Sequence, residues 1–71
     1  MTDVEELNKA ISKSGIAITA IARKLGITRE GLYKKLRNET EFKASEIICM
    51  QDILRLSNEM RDKIFFGKKV E

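Results

Sequence analysis

Residues 16–37 read IAITAIARKLGITREGLYKKLR, and the fold turns on how this stretch divides. Ile18, Ile21, Ala22 and Leu25 fall at i, i+3, i+4 and i+7, the spacing that places one buried stripe on a helix. Gly26 follows as a stop signal, because glycine enters the left-handed region without a Cβ clash and swings the chain round. Ile27 is an isolated apolar residue that locks the turn into the core, and Thr28 is a good N-cap. Leu32 and Leu36 give the next helix a thin apolar seam, with Leu32 set against Ile21 and Leu25. The other positions of that helix, Arg29, Glu30, Tyr33, Lys34 and Arg37, are polar or amphipathic. Ala22 is small where the two helices approach, and Gly31 suits close helix packing at a cost of about 1 kcal/mol in propensity. Helix, glycine-containing turn, helix is the sequence form of a helix-turn-helix.

Spacings of three and four continue on both sides, and no strand-like alternation of useful length interrupts them. Upstream, Thr2 and Glu5 have the capping-box spacing. Val4, Leu7 and Ile11 then share one helical face with Ala10 beside them, and Ser14-Gly15 ends this first helix. Downstream, Asn38 to Glu41 reads as a polar connection, and Phe42 is placed to plug the core. A fourth helix is expected from about Ala44 to Leu54, with Ile47, Met50 and Leu54 on one stripe flanked by Ile48, Cys49 and Ile53. As the most apolar element it is expected at the centre, with Cys49 an ordinary core residue, since free cysteine behaves as a small hydrophobe. Ser57 caps a fifth helix that carries Met60, Ile64 and Phe65 inward. Phe65 and Phe66 cannot both face one narrow stripe. Gly67 onward reads as a charged tail that frays. The expectation is an all-α single domain over residues 1–71, five short helices around one core.

Composition narrows the function. The 71 residues carry 14 Lys and Arg against 11 Asp and Glu, a net charge of +3, with no His and a single Cys. Without His the commonest general base and metal ligand is missing, and one Cys makes neither an internal disulfide nor a cysteine-based zinc site. No nucleophile–base pair or metal cluster can be assembled around a histidine, so no enzyme, cofactor, metal or small-molecule substrate is expected. The N-terminus is acidic, unlike a signal peptide, and no apolar run approaches the roughly 20 residues of a membrane span. A soluble cytoplasmic protein with no membrane contact is expected. The charge itself is concentrated. Residues 1–22 sum to −1 and residues 44–71 to zero, whereas residues 23–43 sum to +4. A segment this positive suits a polyanion, nucleic acid before anionic membrane, although a basic solvated face has the same composition.

The pattern Ile21-Ala22, Leu25-Gly26-Ile27-Thr28 and Leu32 resembles the Cro/CI-type (XRE-like) helix-turn-helix family of phage and bacterial repressors. KLGITREGLYKKLRNETEFKASEI and the closing NEMRDKIFF are similar to small Cro-like proteins of phages that infect Gram-positive bacteria. The resemblance implies a lambda-repressor-like five-helix domain, commonly dimeric, that acts as a transcriptional repressor in a bacterial or phage-infected cell. Two positions depart from the family pattern. Ile18 stands where many members carry a phosphate-bonding Gln. Lys35 stands where many carry an apolar residue, and Leu36 takes over that role.

On this reading a recognition helix from about Arg29 to Arg37 lies in the major groove, its N-terminal end deepest. Arg29, Glu30, Tyr33 and Lys34 are then the candidates for base edges. Arg29 can bond O6 and N7 of guanine in a bidentate manner, and Lys34 as a point donor. Glu30 either accepts from a cytosine amine, orients Arg29, or complements the positive helix start. Tyr33 touches a thymine methyl, donates to a phosphate, or is plain surface. Thr19, Lys24, Thr28, Arg37, Asn38, Thr40 and Lys43 are candidate backbone contacts, which position without reading sequence. Thr28 is a cap whatever else it does, and Lys35 is expected in solvent.

One recognition helix reads only a few base pairs, at about 1–3 kcal/mol of discrimination per good contact. A homodimer on a palindromic double-stranded operator is therefore expected, joined near Ile64, Phe65 and Phe66 of the C-terminal helix. The exposed member of the phenylalanine pair serves such a contact or packs on the first helix. The alternative is a protein-interaction module that docks a larger repressor or antirepressor by its apolar end, the basic face being solvated surface.

Overall fold

In the computed structural model, which describes residues 1–67, the chain forms α1 (Val4–Ser14), α2 (Ile18–Leu25), α3 (Arg29–Leu36), α4 (Ala44–Leu54) and α5 (Asn58–Phe65). No strand is present among the described residues, and the charged tail after Gly67 lies outside them. The helices close on one another through a simple device. Leu7, Ile21, Leu32, Met50 and Ile64 are wholly buried, one from each helix. Ile11, Ala22, Leu36, Phe42, Ile47 and Phe65 complete the cluster. α2 packs on α3 and α4, while α1 meets α3, α4 and α5. The apolar α4 thus touches α1, α2 and α5, a central place that it shares with α1. Phe42, in the connection from α3 to α4, stands edge-on to Phe65 with ring centroids 5.2 Å apart. Edge-to-face pairs of this kind contribute about 0.5–1.5 kcal/mol beyond the area they bury.

The ends of the helices show why the turns fall where they do. Gly26 adopts φ 76°, and the amides of Gly26 and Ile27 bond back to Arg23 and Ala22. This is the Schellman arrangement, which satisfies the last free carbonyls of a helix. The same arrangement closes α3 with Asn38 at φ 60° and α4 with Arg55 at φ 57°. Thr28 caps α3 by accepting from the Gly31 amide at 2.9 Å, and Ser57 caps α5 by accepting from Met60 at 3.0 Å.

Several expectations are corrected. The cap of α1 is Asp3, whose carboxylate accepts from the Glu6 amide, and not a Thr2–Glu5 box. Thr2 lies one residue too early because its peptide is used elsewhere. The Thr2 carbonyl accepts from the Asn38 side chain at 3.0 Å, and the Asp3 amide of the same peptide unit donates to the Ile64 carbonyl at 2.7 Å. That one peptide joins the N-terminus to the end of α3 and to α5. Met60 is exposed rather than inward, since Ile64 and Phe65 already fill the narrow inner face of α5. Those two residues are core and cannot form a surface contact; Phe66 alone of the three is exposed, at 55%. Cys49 is only half-buried, and its Sγ lies 3.7 Å from the Lys24 carbonyl, where it donates to the last turn of α2.

Candidate nucleic-acid interface

The turn at Gly26 fixes α3 against α2 and decides which side of α3 meets solvent. Leu32, Lys35 and Leu36 are buried, and Arg29, Glu30, Tyr33 and Lys34 are exposed. The four residues expected at base edges therefore lie together on the outer face, at the first and second turns of a helix whose start is capped by Thr28. Arg37 is the C-cap of α3 and is also exposed. Gly31 departs from its expected role. A Cβ placed there would stand 3.1 Å from Thr28 Oγ1, so the close neighbour is the cap of its own helix and not a packed partner.

Among the backbone candidates, Thr19 and Lys24 are exposed on α2, and Thr40 and Lys43 are exposed in and after the connection from α3. Thr28 is exposed with its hydroxyl oxygen engaged as a cap. Asn38 is not aligned with them: it is half-buried and its amide is committed to the Thr2 carbonyl. The start of α2 adds a feature that side-chain reasoning missed. Ala17 is its N-cap and makes no side-chain hydrogen bond, which leaves the first amides of α2 without a side-chain acceptor. Helix-start amides of this kind suit a phosphate oxygen. The signal in the sequence was alanine where Ser, Thr, Asp or Asn would close the helix.

Two ion-pair systems organise the charges. Inside, Lys35 turns away from solvent, contrary to expectation. Its Nζ lies 3.2 Å from Glu46 Oε1 and donates to the Glu41 carbonyl at 3.0 Å. Glu46 Oε1 also accepts from the Lys43 amide at 2.8 Å. Lys35 thus occupies an inward position on α3, with Leu36 buried beside it. Its charge belongs to the α3–α4 joint and is subtracted from the basic face.

Outside, Arg37 reaches two carboxylates. Its Nε donates to Glu39 Oε2 at 2.7 Å, and its second amino group stands 3.6 Å from Glu30 Oε2. The hydrogen bond to Glu39 is the main reason that Arg37 holds its proton above its ordinary value, with Glu30 adding to it. The same bond holds the Glu39 carboxyl below the usual carboxylate range. Glu39 was not singled out in the sequence. Its signal is its place two residues after Arg37 and Glu30's place seven before, two turns along the same face.

Among the described residues no group of His, Cys, Asp and Glu could hold a metal ion, and no helix is long and apolar enough to cross a membrane. Residues 6–39 match the family model described as the helix-turn-helix domain of resolvase. The match begins in α1, takes in α2 and α3 and ends at Glu39, so it spans the outer face of α3 and the Arg37 network. No curated protein and no solved structure matches the chain. The match supports a DNA-binding helix-turn-helix, the coarser part of the resemblance carried by the Ile21–Leu32 pattern.

Proposed function

We propose that this protein binds double-stranded DNA by sequence, inserting α3 into the major groove. The observation that carries the reading is the division of α3, with Arg29, Glu30, Tyr33 and Lys34 all outward and its apolar seam wholly inward. Arg29 and Lys34 donate to guanine edges, Glu30 accepts from a cytosine amine, and Tyr33 meets a thymine methyl or a phosphate. Thr19, Lys24, Thr28, Arg37, Thr40 and Lys43, with the open amides at the start of α2, engage phosphates on either side. Asn38 holds the fold and acts on DNA only through the chain it positions.

The finer reading is a Cro-like transcriptional repressor of a phage or prophage, acting in the cytoplasm as a symmetric dimer on a palindromic operator. The Ile21–Leu32 pattern supports the repressor, and the short reading helix supports the dimer, with half-sites about one helical turn apart. Phe66 is the apolar residue that remains for such a contact near the end of α5. The rival reading, a module that docks a larger repressor or antirepressor, draws on exposed apolar side chains, Ile48 at 65% above all. A gel shift with random duplex separates the two. If some five phosphates are neutralised per subunit, log K falls against log salt with a slope of about −4 to −5 per subunit. A flat response, or no shift at low salt, would leave the docking module.

A further inference from the structure

The Arg37 network lies on the face that DNA would cover. Arg37 caps the C-terminal end of α3, and in the free protein both of its sides are engaged by carboxylates, Glu39 at 2.7 Å and Glu30 at 3.6 Å. These side chains are about half exposed or more, so the ties are exchangeable and not part of the core. We infer that Glu30 and Glu39 form a discriminator, which holds Arg37 away from phosphate on non-cognate DNA and releases it only where Glu30 finds a base to accept from. The inference rests on the DNA-binding reading of α3 and adds a mechanism for selectivity.

The physical argument follows the charges. On any duplex, Arg37 gains a phosphate only by leaving carboxylates that then face a polyanion. For random sequence that exchange returns little, because Glu30 and Glu39 are left beside phosphates with no donor. Where a cytosine amine stands opposite Glu30, that carboxylate keeps a hydrogen-bond donor, the exchange costs less, and Arg37 takes the backbone in place of Glu39. An attraction common to every sequence is thereby made conditional on one base. Specificity from a built-in repulsive element is a general route to discrimination, since only the difference between partners matters.

The test uses Glu39→Gln and Glu30→Gln, each alone and in an Arg37→Ala background. Binding to random duplex and to the best sequence selected from a random pool is measured against salt. Glu39→Gln is expected to tighten random-duplex binding about five- to tenfold near 0.1 M salt and to steepen the log–log salt slope by about one, the signature of one added phosphate contact. Binding to the selected sequence is expected to change less than threefold, so the ratio between the two falls. In the Arg37→Ala background the same substitution is expected to change random binding no more than about twofold. Glu30→Gln is expected to lose the preference for cytosine at one position. An equal gain in both backgrounds would overturn the inference, since it would show simple removal of a negative charge. Unchanged random binding and slope in Glu39→Gln would overturn it also. Absence of salt-dependent binding by the unsubstituted protein would overturn the DNA-binding reading itself, a distinguishable failure. Both pairs are exposed, so the circular dichroism of the variants should match the parent and their melting should fall only by the small contribution of a surface ion pair.

Discussion

Lys35 of α3 and Glu46 of α4 form an ion pair, 3.2 Å apart, with side chains only 11% and 9% exposed. Each has a second partner that prevents the pair from being a charge isolated in the core. Lys35 bonds the Glu41 carbonyl, and Glu46 takes the Lys43 amide. The Lys35 ammonium also stands 5.8 Å from the centroid of the Phe42 ring. The four interactions bracket residues 41–46, so the rotation of α3, the course of its exit and the start of α4 are fixed together.

Breaking the pair from one side should be costly. Lys35→Met leaves the Glu46 carboxylate buried without a counter-charge, and removal of one partner of a buried pair costs about 3 kcal/mol or more. That is a large share of the roughly 4–10 kcal/mol expected for a domain of this length. Urea melts should show it as a lower midpoint. Adding Glu46→Leu to Lys35→Met should restore most of the loss, because the desolvation penalty then disappears from both sides. A Lys35→Met melt that overlays the parent would refute the structural role given to this pair.

Lys35 also shows where the sequence stops being informative. Helical spacing identified α1 to α5 because amphipathic periodicity is a property of each segment by itself. Ile21, Leu32, Met50 and Ile64 could be placed in the core on that ground. Lys35 could not, since its partner lies eleven residues away on another helix and nothing in the local pattern marks it. Arg55 and Asn38 were hidden for a related reason. Gly26 announces a left-handed residue by its composition, whereas those two adopt the same conformation under pressure from the Schellman turn. The outward residues of α3 were legible because they are what remains after a two-residue apolar seam is removed. The pairing of Arg37 with Glu30 and Glu39 was not, because spacing along the chain only permits it and side-chain reach decides it.

Arg55 and Asn38 should therefore respond in opposite ways to glycine. Both hold a left-handed φ that costs a residue with a Cβ about 1–2 kcal/mol. Among the described residues Arg55 makes no side-chain bond in exchange, so Arg55→Gly should stabilise by about 0.5–1 kcal/mol after allowing for the freer unfolded chain. Asn38 is better suited to the conformation and bonds the Thr2 carbonyl. Asn38→Gly should leave stability unchanged or lower it by about 1 kcal/mol, the value of a hydrogen bond lost. Thermal melts of both variants decide the matter, and equal shifts would show that the Asn38 bond contributes nothing.

Gly31 and Thr28 should be coupled. Alanine in a helix is favoured over glycine by about 1 kcal/mol. At position 31, however, the new Cβ meets Thr28 Oγ1 at 3.1 Å, and that oxygen is held by its bond to the Gly31 amide. Gly31→Ala should thus stabilise by less than about 0.5 kcal/mol in the parent and by more in a Thr28→Gly background, where the hydroxyl is gone. A gain of the same size in both backgrounds would mean the cap moves aside freely.

The Arg37–Glu39 bond makes a prediction about acid. A carboxylate held below its ordinary value stabilises the folded state above the unfolded pKa, and that contribution is lost as pH falls through the lowered folded value. For Glu39 the ordinary value is 4.5, so the window lies beneath it. A carboxyl-carbon NMR titration should place the Glu39 midpoint below 4.5 in the parent. Arg37→Ala should return it toward 4.5, because the first cause of the shift is the Arg37 hydrogen bond. A midpoint indifferent to Arg37 would show that the bond does not persist in solution.

The basic residues of the middle segment should separate into three classes on DNA. Arg29 and Lys34 stand on the outer face of α3, so alanine at either should weaken the preferred sequence and relax selection at one position, by about 1–3 kcal/mol per contact. Lys43 lies beyond α3 at the start of α4 and is exposed. Lys43→Ala should weaken preferred and random duplexes alike and reduce the magnitude of the salt slope by about one. Lys35 carries the same formal charge in the same stretch, yet its ammonium is spent on Glu46 and Glu41. The Lys35→Met/Glu46→Leu double substitution, measured where it is fully folded, should therefore leave the salt slope unchanged. A slope reduced by one in that variant would place Lys35 on the DNA and return its charge to the basic face.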